Sequence, residues 1–569
     1  MKKLILTILF FGLLIGNAFA ANRYVNNNSC TYNGDGTTWA CAASDGAAGA
    51  FNDLPFFGTT PCGYDAGSWI KGDTYYIAGG AAAYQVSCMG RNYTGTGDIT
   101  LKKATVADHG GQETGWSNAY GTDQAILSGV MLYDNNITID GVYRTDATSG
   151  YGIKFTGAGS VTFIRTANNK ATTGATLRYL EFTHTSYDTN AGSAIFLYGN
   201  GDNLIEYVYA HDLAGLCFKG NIYPAANPTG GFENIVITDS VCGRIGRTTG
   251  TAHVELIKDD GYANNVVIKN NIFYDWRSTG GIILSQGQNN WTIHTNIFSQ
   301  RTAGLTCGNG VIAGLDSGTS GYTNIKVYNN TFANVTSLCS GVFGFGGDFS
   351  GTGNEVINNL FYNIDTNPNT CAEGCTNGTN WYYDVPLYTP TGTEIAGGGN
   401  PFTDAPNEDF TLNGSATATN PIDAGTTVAI NPAVDFIGTG RPQDGGGGAL
   451  WDIGAYEYLG GVPPADYTAP TIDTLSVAPT STGGVDVVVT YTCSDDTAVT
   501  VERYDIGTPI TLPTDGSAAS SPQTVAIGEL SVGNNQIWVG CCDAANNCGS
   551  AGIWVQYALG GRATIKRNY

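Results

Sequence analysis

Basic residues are scarce in this chain: 25 Lys and Arg stand against 48 Asp and Glu, a formal charge of −23 over 569 residues. Nucleic acid and anionic membranes are bound through clustered Lys and Arg, so this balance excludes nucleic acid as a partner. Charge of either sign is low, at 13%, yet 42% hydrophobic and 11% aromatic residues are too many for a disordered chain. After the first twenty residues no apolar run is long enough for a membrane span of about 20 residues, so no membrane insertion is expected. No second CxxC or HxxxH pair accompanies the cysteines, which removes the usual zinc spacings. Nor is there a GxSxG, P-loop or HExxH motif to bring other chemistry.

What is present begins with an export signal. Lys2 and Lys3 precede an apolar run from Leu4 to Ile15, and Ala18-Phe19-Ala20 supplies the small residues of a cleavage site. Residues 1–20 are therefore read as a signal peptide, whose loss leaves 23 basic against 48 acidic residues, or −25. The product is expected outside the cell or at its surface. The 14 cysteines agree, because an even number in an oxidising compartment reads as disulfides. Cys30 with Cys41, Cys62 with Cys88, and Cys371 with Cys375 are close in sequence.

Between about residues 135 and 365 the chain repeats. Asn265-Val-Val-Ile-Lys-Asn-Asn271-Ile-Phe273 is echoed by Asn290-Trp-Thr-Ile-His-Thr-Asn296-Ile-Phe298, by Asn324-Ile-Lys-Val-Tyr-Asn-Asn330-Thr-Phe332 and by Asn354-Glu-Val-Ile-Asn-Asn359-Leu-Phe361. Weaker copies begin near Asn136, Ala175, Asn203 and Asn234. Spacings of about 25 to 40 residues are a solenoid period. Each copy alternates with period two and is rich in β-branched residues, and a second apolar run such as Gly281-Ile-Ile-Leu follows within the period. Strands with no helix between them cannot build βαβ units; coiling the chain so that each strand pairs with its counterpart one turn on gives a parallel β-helix. Coiling would stack Asn271, Asn296, Asn330 and Asn359 about 4.8 Å apart, as an amide ladder beside a stack of Phe273, Phe298, Phe332 and Phe361. Cys217 with Cys242 and Cys307 with Cys339 fall in successive coils, placed for rung-to-rung disulfides.

Over roughly residues 70 to 460 the chain resembles the right-handed parallel β-helix superfamily that includes pectate lyases and related polysaccharide-active proteins. The resemblance is carried by the repeats, by Gly72-Asp-Thr-Tyr-Tyr-Ile-Ala-Gly-Gly80, Ile99-Thr-Leu-Lys-Lys-Ala-Thr, Asp108-His-Gly and Thr114-Gly-Trp116, and by the closing Asp452-Ile-Gly-Ala-Tyr-Glu-Tyr458. It implies a polysaccharide or surface glycan as partner, engaged by a monomer. The fold class expected is all-β: a right-handed parallel β-helix followed by a small immunoglobulin-like sandwich. The divisions are 21–125 for an N-terminal cap and first coils, 126–400 for the β-helix, 401–459 for its C-terminal end, 460–467 for a linker, 468–559 for the sandwich and 560–569 for a tail. About seven short strands fit the sandwich, with Cys493 and Cys541 placed to bridge its sheets and Cys542 to close a loop with Cys548.

The densest collection of reactive side chains runs from His253 to Arg277. If Val254 and Leu256 point inward, His253 and Glu255 project outward together. Elimination at a uronic acid needs its carboxylate neutralised and a base for the C5 proton. His253, Glu255, Lys258 and Arg277 are the catalytic candidates; Arg247, Trp276, Tyr262, His211 and Lys219 are the substrate-binding ones. Asp259 and Asp260 are hard-oxygen candidates for Ca²⁺, and Glu255 with Asp259 could alternatively serve as acid and base in glycoside hydrolysis. The Asp259-Asp260 pair resembles part of the polygalacturonase pattern, but its Gly-His-Gly and Arg-Ile-Lys companions are missing, as are the paired-Arg motif of pectate lyases and the Arg-His-Gly motif of alginate and chondroitin lyases. Three functions stay open: a polysaccharide lyase working in an outer-face groove, a non-catalytic carbohydrate-binding or adhesion scaffold, and a glycoside hydrolase.

Overall fold

The computed structural model describes residues 21–557 except 28–29, 31–34, 45–46, 55–68, 81–82, 91–93, 110–112, 168–171, 187–191, 199–200, 222–231, 247–253, 278, 286, 303, 315–320, 346–350, 369–374, 415–418, 429–431, 444–449, 460–468, 479–484, 496–498 and 544–546. The leader, the linker and the C-terminal tail lie outside the described residues, as do Cys62, Arg247, His253 and Cys371. The chain divides into two compact units, Met1–Gly460 and Gly461–Tyr569.

In the first unit, one coil shows why the sequence spirals. Strand Asn264–Lys269 ends at Asn270, whose φ of 54° is left-handed, and the chain bends into a second strand, Ile272–Tyr274. Asn tolerates that conformation because its short polar side chain makes local hydrogen bonds. A loop leads to the third strand, Gly280–Leu284, and the chain returns as Asn289–His294, parallel to Asn264–Lys269 with Val266 opposite Trp291 and Ile268 opposite Ile293. Repetition gives a 21-stranded sheet that carries the first two strands of each coil, and a 9-stranded sheet that carries the third. Every coil-to-coil register is parallel, which makes the unit a parallel β-helix.

The interior is stitched along the axis. Asn271, Asn296 and Asn330 each donate Nδ2–H to the next amide oxygen at 3.0 Å, and Asn359 donates to a fifth member, Asn380, at 3.2 Å. Each is fully buried, and each also donates to a backbone carbonyl, so every amide nitrogen of the ladder has its acceptors. Beside them Phe273, Phe298, Phe332, Phe361 and Tyr382 stack with centroids 4.7 to 5.2 Å apart. Such pairs add about 0.5–1.5 kcal/mol each beyond area burial. The disulfides Cys217–Cys242 and Cys307–Cys339 join successive rungs, and Cys30–Cys41 closes an N-terminal loop. Cys88 and Cys375 are disulfide-bonded as well.

A C-terminal strap covers part of the large sheet's outer face. Phe402, Phe410, Ile422, Ile453 and Ala455 share one buried cluster with Ile297, Ala333, Leu360 and Trp381 of the later coils. The closing Asp452–Tyr458 motif fastens it. Gly454 N–H donates to Asn358 O at 2.9 Å, and a Cβ at Gly454 (φ 105°) would fall 3.1 Å from both Leu360 Cβ and Thr331 Oγ1. Arg441 Nη1 meets Glu457 Oε1 at 2.6 Å with both side chains fully buried. Asp452 accepts from the backbone N–H groups of Asp423 and Tyr458.

The second unit has two antiparallel sheets, of three and four strands, that enclose Val489, Tyr491, Val525, Ile537 and Val539. Cys493–Cys541 ties one sheet to the other, and Cys542–Cys548 links two paired strands.

Candidate functional site

The His253–Arg277 set does not assemble as the sequence reading placed it. His253 and Arg247 lie outside the described residues. Ile257 stacks between Phe218 and Ile282, and Glu255, two positions earlier on the same side of the strand, is fully buried. Val254 and Leu256 lie in the main core as expected, but Ile257 and Glu255 are buried with them, so Glu255 does not project outward. Asp259 shares that inward side. Its oxygens accept from Phe232 N–H at 2.6 Å and Gly261 N–H at 2.7 Å, and burial pushes its pKa up to about 6. A Cβ at Gly220 would fall 2.1 Å from Asp259 Oδ2, so glycine there makes the room. Trp276 is fully buried in the main core and offers no face to a sugar. Arg277 sits in the loop ahead of Gly280–Leu284, packed against Gly246, whereas Lys258 pairs with Ile283 inside the next strand position over. Tyr262 is exposed in the turn after Asp260.

Lys258 instead belongs to an outward row on the nine-stranded sheet. Register places Met131, Arg165, Phe196, Lys219, Lys258 and Ile283 on successive rungs. Arg165 to Lys258 is three rungs, or about 14 Å. Lys219 Nζ lies 5.0 Å from the Phe196 ring centre, and Tyr198 packs beside Phe196 with centroids 4.7 Å apart. Asp260 bridges the lysines, at 3.2 Å from Lys219 and 2.9 Å from Lys258. Arg165 reaches Met131 Sδ at 4.0 Å. Three cations to one carboxylate is the reverse of the chain's average.

This geometry does not fit Ca²⁺ at Asp259 and Asp260: the first is occupied by backbone N–H groups and the second by two ammonium groups, with no cluster of free hard oxygens between them. Among the described residues no group of three or more His, Cys, Asp or Glu is placed to hold a metal ion.

The large sheet's outer face carries a second cluster, ahead of the strapped coils. Glu181 takes hydrogen bonds from Lys154 at 2.6 Å, Gln124 at 3.0 Å and His211 Nε2 at 3.2 Å. His211 Nδ1 faces Asp212 at 2.7 Å, and Arg244 grips Asp212 with two bonds of 2.7 and 2.8 Å. Arg244 also donates to the hydroxyls of Tyr274 (2.7 Å) and Tyr209 (3.1 Å). Gly243 lets this happen, since a Cβ there would collide with the Tyr274 ring at 2.3 Å. Burial works against the charge on Glu181, but the bonds from His211 and Lys154 prevail and hold its pKa down to about 2. Burial likewise opposes protonation of His211, and Asp212 with Glu181 overcomes it, so its pKa is raised. Asp212 is lowered, against burial, by Arg244 and His211. The cluster places one imidazole between two carboxylates that favour its protonated form, with Arg244 Nη2 also 3.2 Å from its Nδ1. It lacks the raised carboxylic acid that hydrolysis requires, and Tyr274 is pushed up by burial, away from service as a base. Of the sequence candidates only His211 belongs to it. Lys154, Glu181 and Tyr209 stand opposite one another on successive rungs, and His211, Gly243 and Tyr274 do so two positions along, with Arg244 just after its strand; this register, and no local sequence pattern, brings them together.

No known family's sequence pattern matches the chain, and no curated protein does. Similar solved structures include pectate lyase Pel9A, with a TM-score of 0.35 and 12% identity over 78% of this chain and 97% of that one. They also include a tailspike protein of an E. coli bacteriophage in complex with a pentasaccharide, with a TM-score of 0.24 and 12% identity over 87% of this chain and 84% of that one. At such scores the fold rests on this chain's own strand register, and no activity passes from either neighbour.

Proposed function

We propose that the protein is an exported carbohydrate-binding β-helix that holds an acidic polysaccharide, such as a uronic-acid polymer, along the outer face of its nine-stranded sheet, and carries an immunoglobulin-like module after it. The observation that supports this reading is the row Arg165–Phe196–Lys219–Lys258 on consecutive rungs. An extended sugar chain presents carboxylates at intervals comparable with the rung spacing, and Phe196 and Tyr198 supply flat apolar surface for its C–H faces. On a chain of net −23, a polyanion is repelled everywhere except where a local excess of cations focuses the field. Disulfide bonding of every described cysteine fits export. Burial of Glu255 and Asp259 counts against their service as an acid–base pair and supports the binding reading.

The test incubates the purified chain with polygalacturonate, alginate, xylan and dextran, with and without Ca²⁺, and measures both binding and new chain ends. Salt-sensitive binding of the acidic polymers without new ends is expected. Lys219→Glu should weaken it about tenfold, equivalent to about 1.4 kcal/mol. Unsaturated ends would establish elimination, and new saturated reducing ends hydrolysis; either would overturn the binding-only reading.

A further inference from the structure

We infer that the outer face of the four-stranded sheet in the C-terminal unit is a second glycan site, selective for neutral sugar chains. It goes beyond the acidic-polymer site and rests on different residues. Strands Gly533–Asp543 and Cys548–Tyr557 pair antiparallel, with Gln536 opposite Trp554 and Trp538 opposite Gly552. Ile537 and Val539 face the core, so Gln536, Trp538, Gly552 and Trp554 share the face away from it. Trp554 is 61% exposed, an unusual position for an indole on a regular strand. The Trp538 ring lies over Gly552: a Cβ there would sit 3.0 Å from two of its ring carbons and 2.8 Å from Gln536 Nε2. The Gln536 amide is thereby set beside both indoles. Trp538 Nε1 is itself buried, with no hydrogen-bond partner among the described residues, so Trp538 offers its ring face rather than its N–H. Asp505 lies in register with Trp538 on the neighbouring strand, and Arg503 follows two residues before it on the same side.

The arrangement is flat aromatic surface edged by hydrogen-bonding side chains. Diagonal neighbours on paired strands stand about 7–8 Å apart, which lets two rings serve adjacent sugars of one chain. A pyranose offers an apolar C–H face to an indole and hydroxyls to an amide and a carboxylate. A second copy or another protein is a poor occupant. Two indoles supply at most about 500 Å², against about 800 Å² per partner in a stable protein interface. Charge selects the kind of glycan: residues 461–569 hold 4 basic against 10 acidic residues, so a polyanionic chain is repelled.

The experiment is affinity electrophoresis of the full chain through gels containing hydroxyethylcellulose, xylan or galactomannan, with polygalacturonate as the acidic control. Retardation by at least one neutral polymer is expected. It should fall at least tenfold in Trp554→Ala and be largely kept in Trp554→Phe, while retardation by polygalacturonate is unchanged. Lys219→Glu should do the reverse, which separates failure of this site from failure of the first. Because Trp554 is exposed, its replacement leaves the core intact, and an unchanged circular dichroism spectrum checks this. The inference is overturned if no neutral polymer retards the native chain, if Trp554→Ala behaves as native, or if Trp554→Ala lowers the sedimenting mass, which would make a second copy the occupant.

Discussion

The early and late coils of the β-helix unit are held together by different means. From Asn271 to Asn380 the rungs are tied inside, by an unbroken amide ladder and an aromatic stack, and their outer face lies under the strap. Before that the side-chain ladder stops: Ser240 stands in the Asn position, donates its N–H to Asn271 Oδ1 at 3.1 Å, and its hydroxyl accepts Val208 N–H at 3.0 Å. There the rungs keep interior ties, the Phe155–Phe182 stack and the Cys217–Cys242 disulfide, and add charged ones outside, through Lys154, Glu181, His211, Asp212 and Arg244. The lesson is that a solenoid fixes its register wherever identical positions stack, and is free to present charge only where no strap lies over it.

The largest effects should come from the late coils. Glu457→Gln leaves Arg441 as a buried charge without its counter-ion and should cost about 3–5 kcal/mol. Limited proteolysis should then cut the strap well before the coils beneath it. Phe332→Ala opens the middle of the stack, in contact with Phe298 and Phe361, and should cost about 3–5 kcal/mol in thermal unfolding. Asn330→Ala removes the acceptor of Asn296 and the donor to Asn359, and should cost about 1–3 kcal/mol for each buried group left unpaired.

The early coils should respond less, and in a pH-dependent way. His211→Gln should lower stability by no more than about 1 kcal/mol, since the cluster borders solvent. The sign follows from linkage. His211 has a raised pKa when folded, so its contribution is full below the ordinary value of about 6.5 and is lost as pH rises through the folded value. The difference between native and variant should therefore be greatest in mild acid and vanish in alkali. Equal differences at all pH values would remove the imidazolium from the account.

Much of the fold was legible because its signal repeats. Four Asn-x-Phe copies share one offset, and any register that pairs them also stacks them. Asn380 escaped because its neighbours read Gly378-Thr-Asn380-Trp-Tyr382, with tyrosine in the Phe position and no β-branched run ahead of it. Single strands were harder. In Val254-Glu-Leu-Ile-Lys-Asp259 the apolar residues occupy both parities and Val254, Leu256 and Ile257 all enter the core, so an alternating reading could not foresee that Glu255 is buried with them. Trp276 was read as a sugar platform because it stands beside Arg277, yet the chain turns it into the core. The strap was foreseen only as the end of the helix. Its hold comes from long-range bonds, such as Asn329 Nδ2 to Asp452 O at 3.0 Å, that no local pattern announces.

The claim that the basic row binds an acidic chain is tested most directly by titrating oligogalacturonate into the native chain, Lys219→Gln and Lys258→Gln across a range of salt. Affinity should fall as salt rises, and each lysine removed should weaken binding and flatten the logarithmic salt dependence by up to about one unit. Native and variant chains with the same affinity and the same salt slope would contradict it.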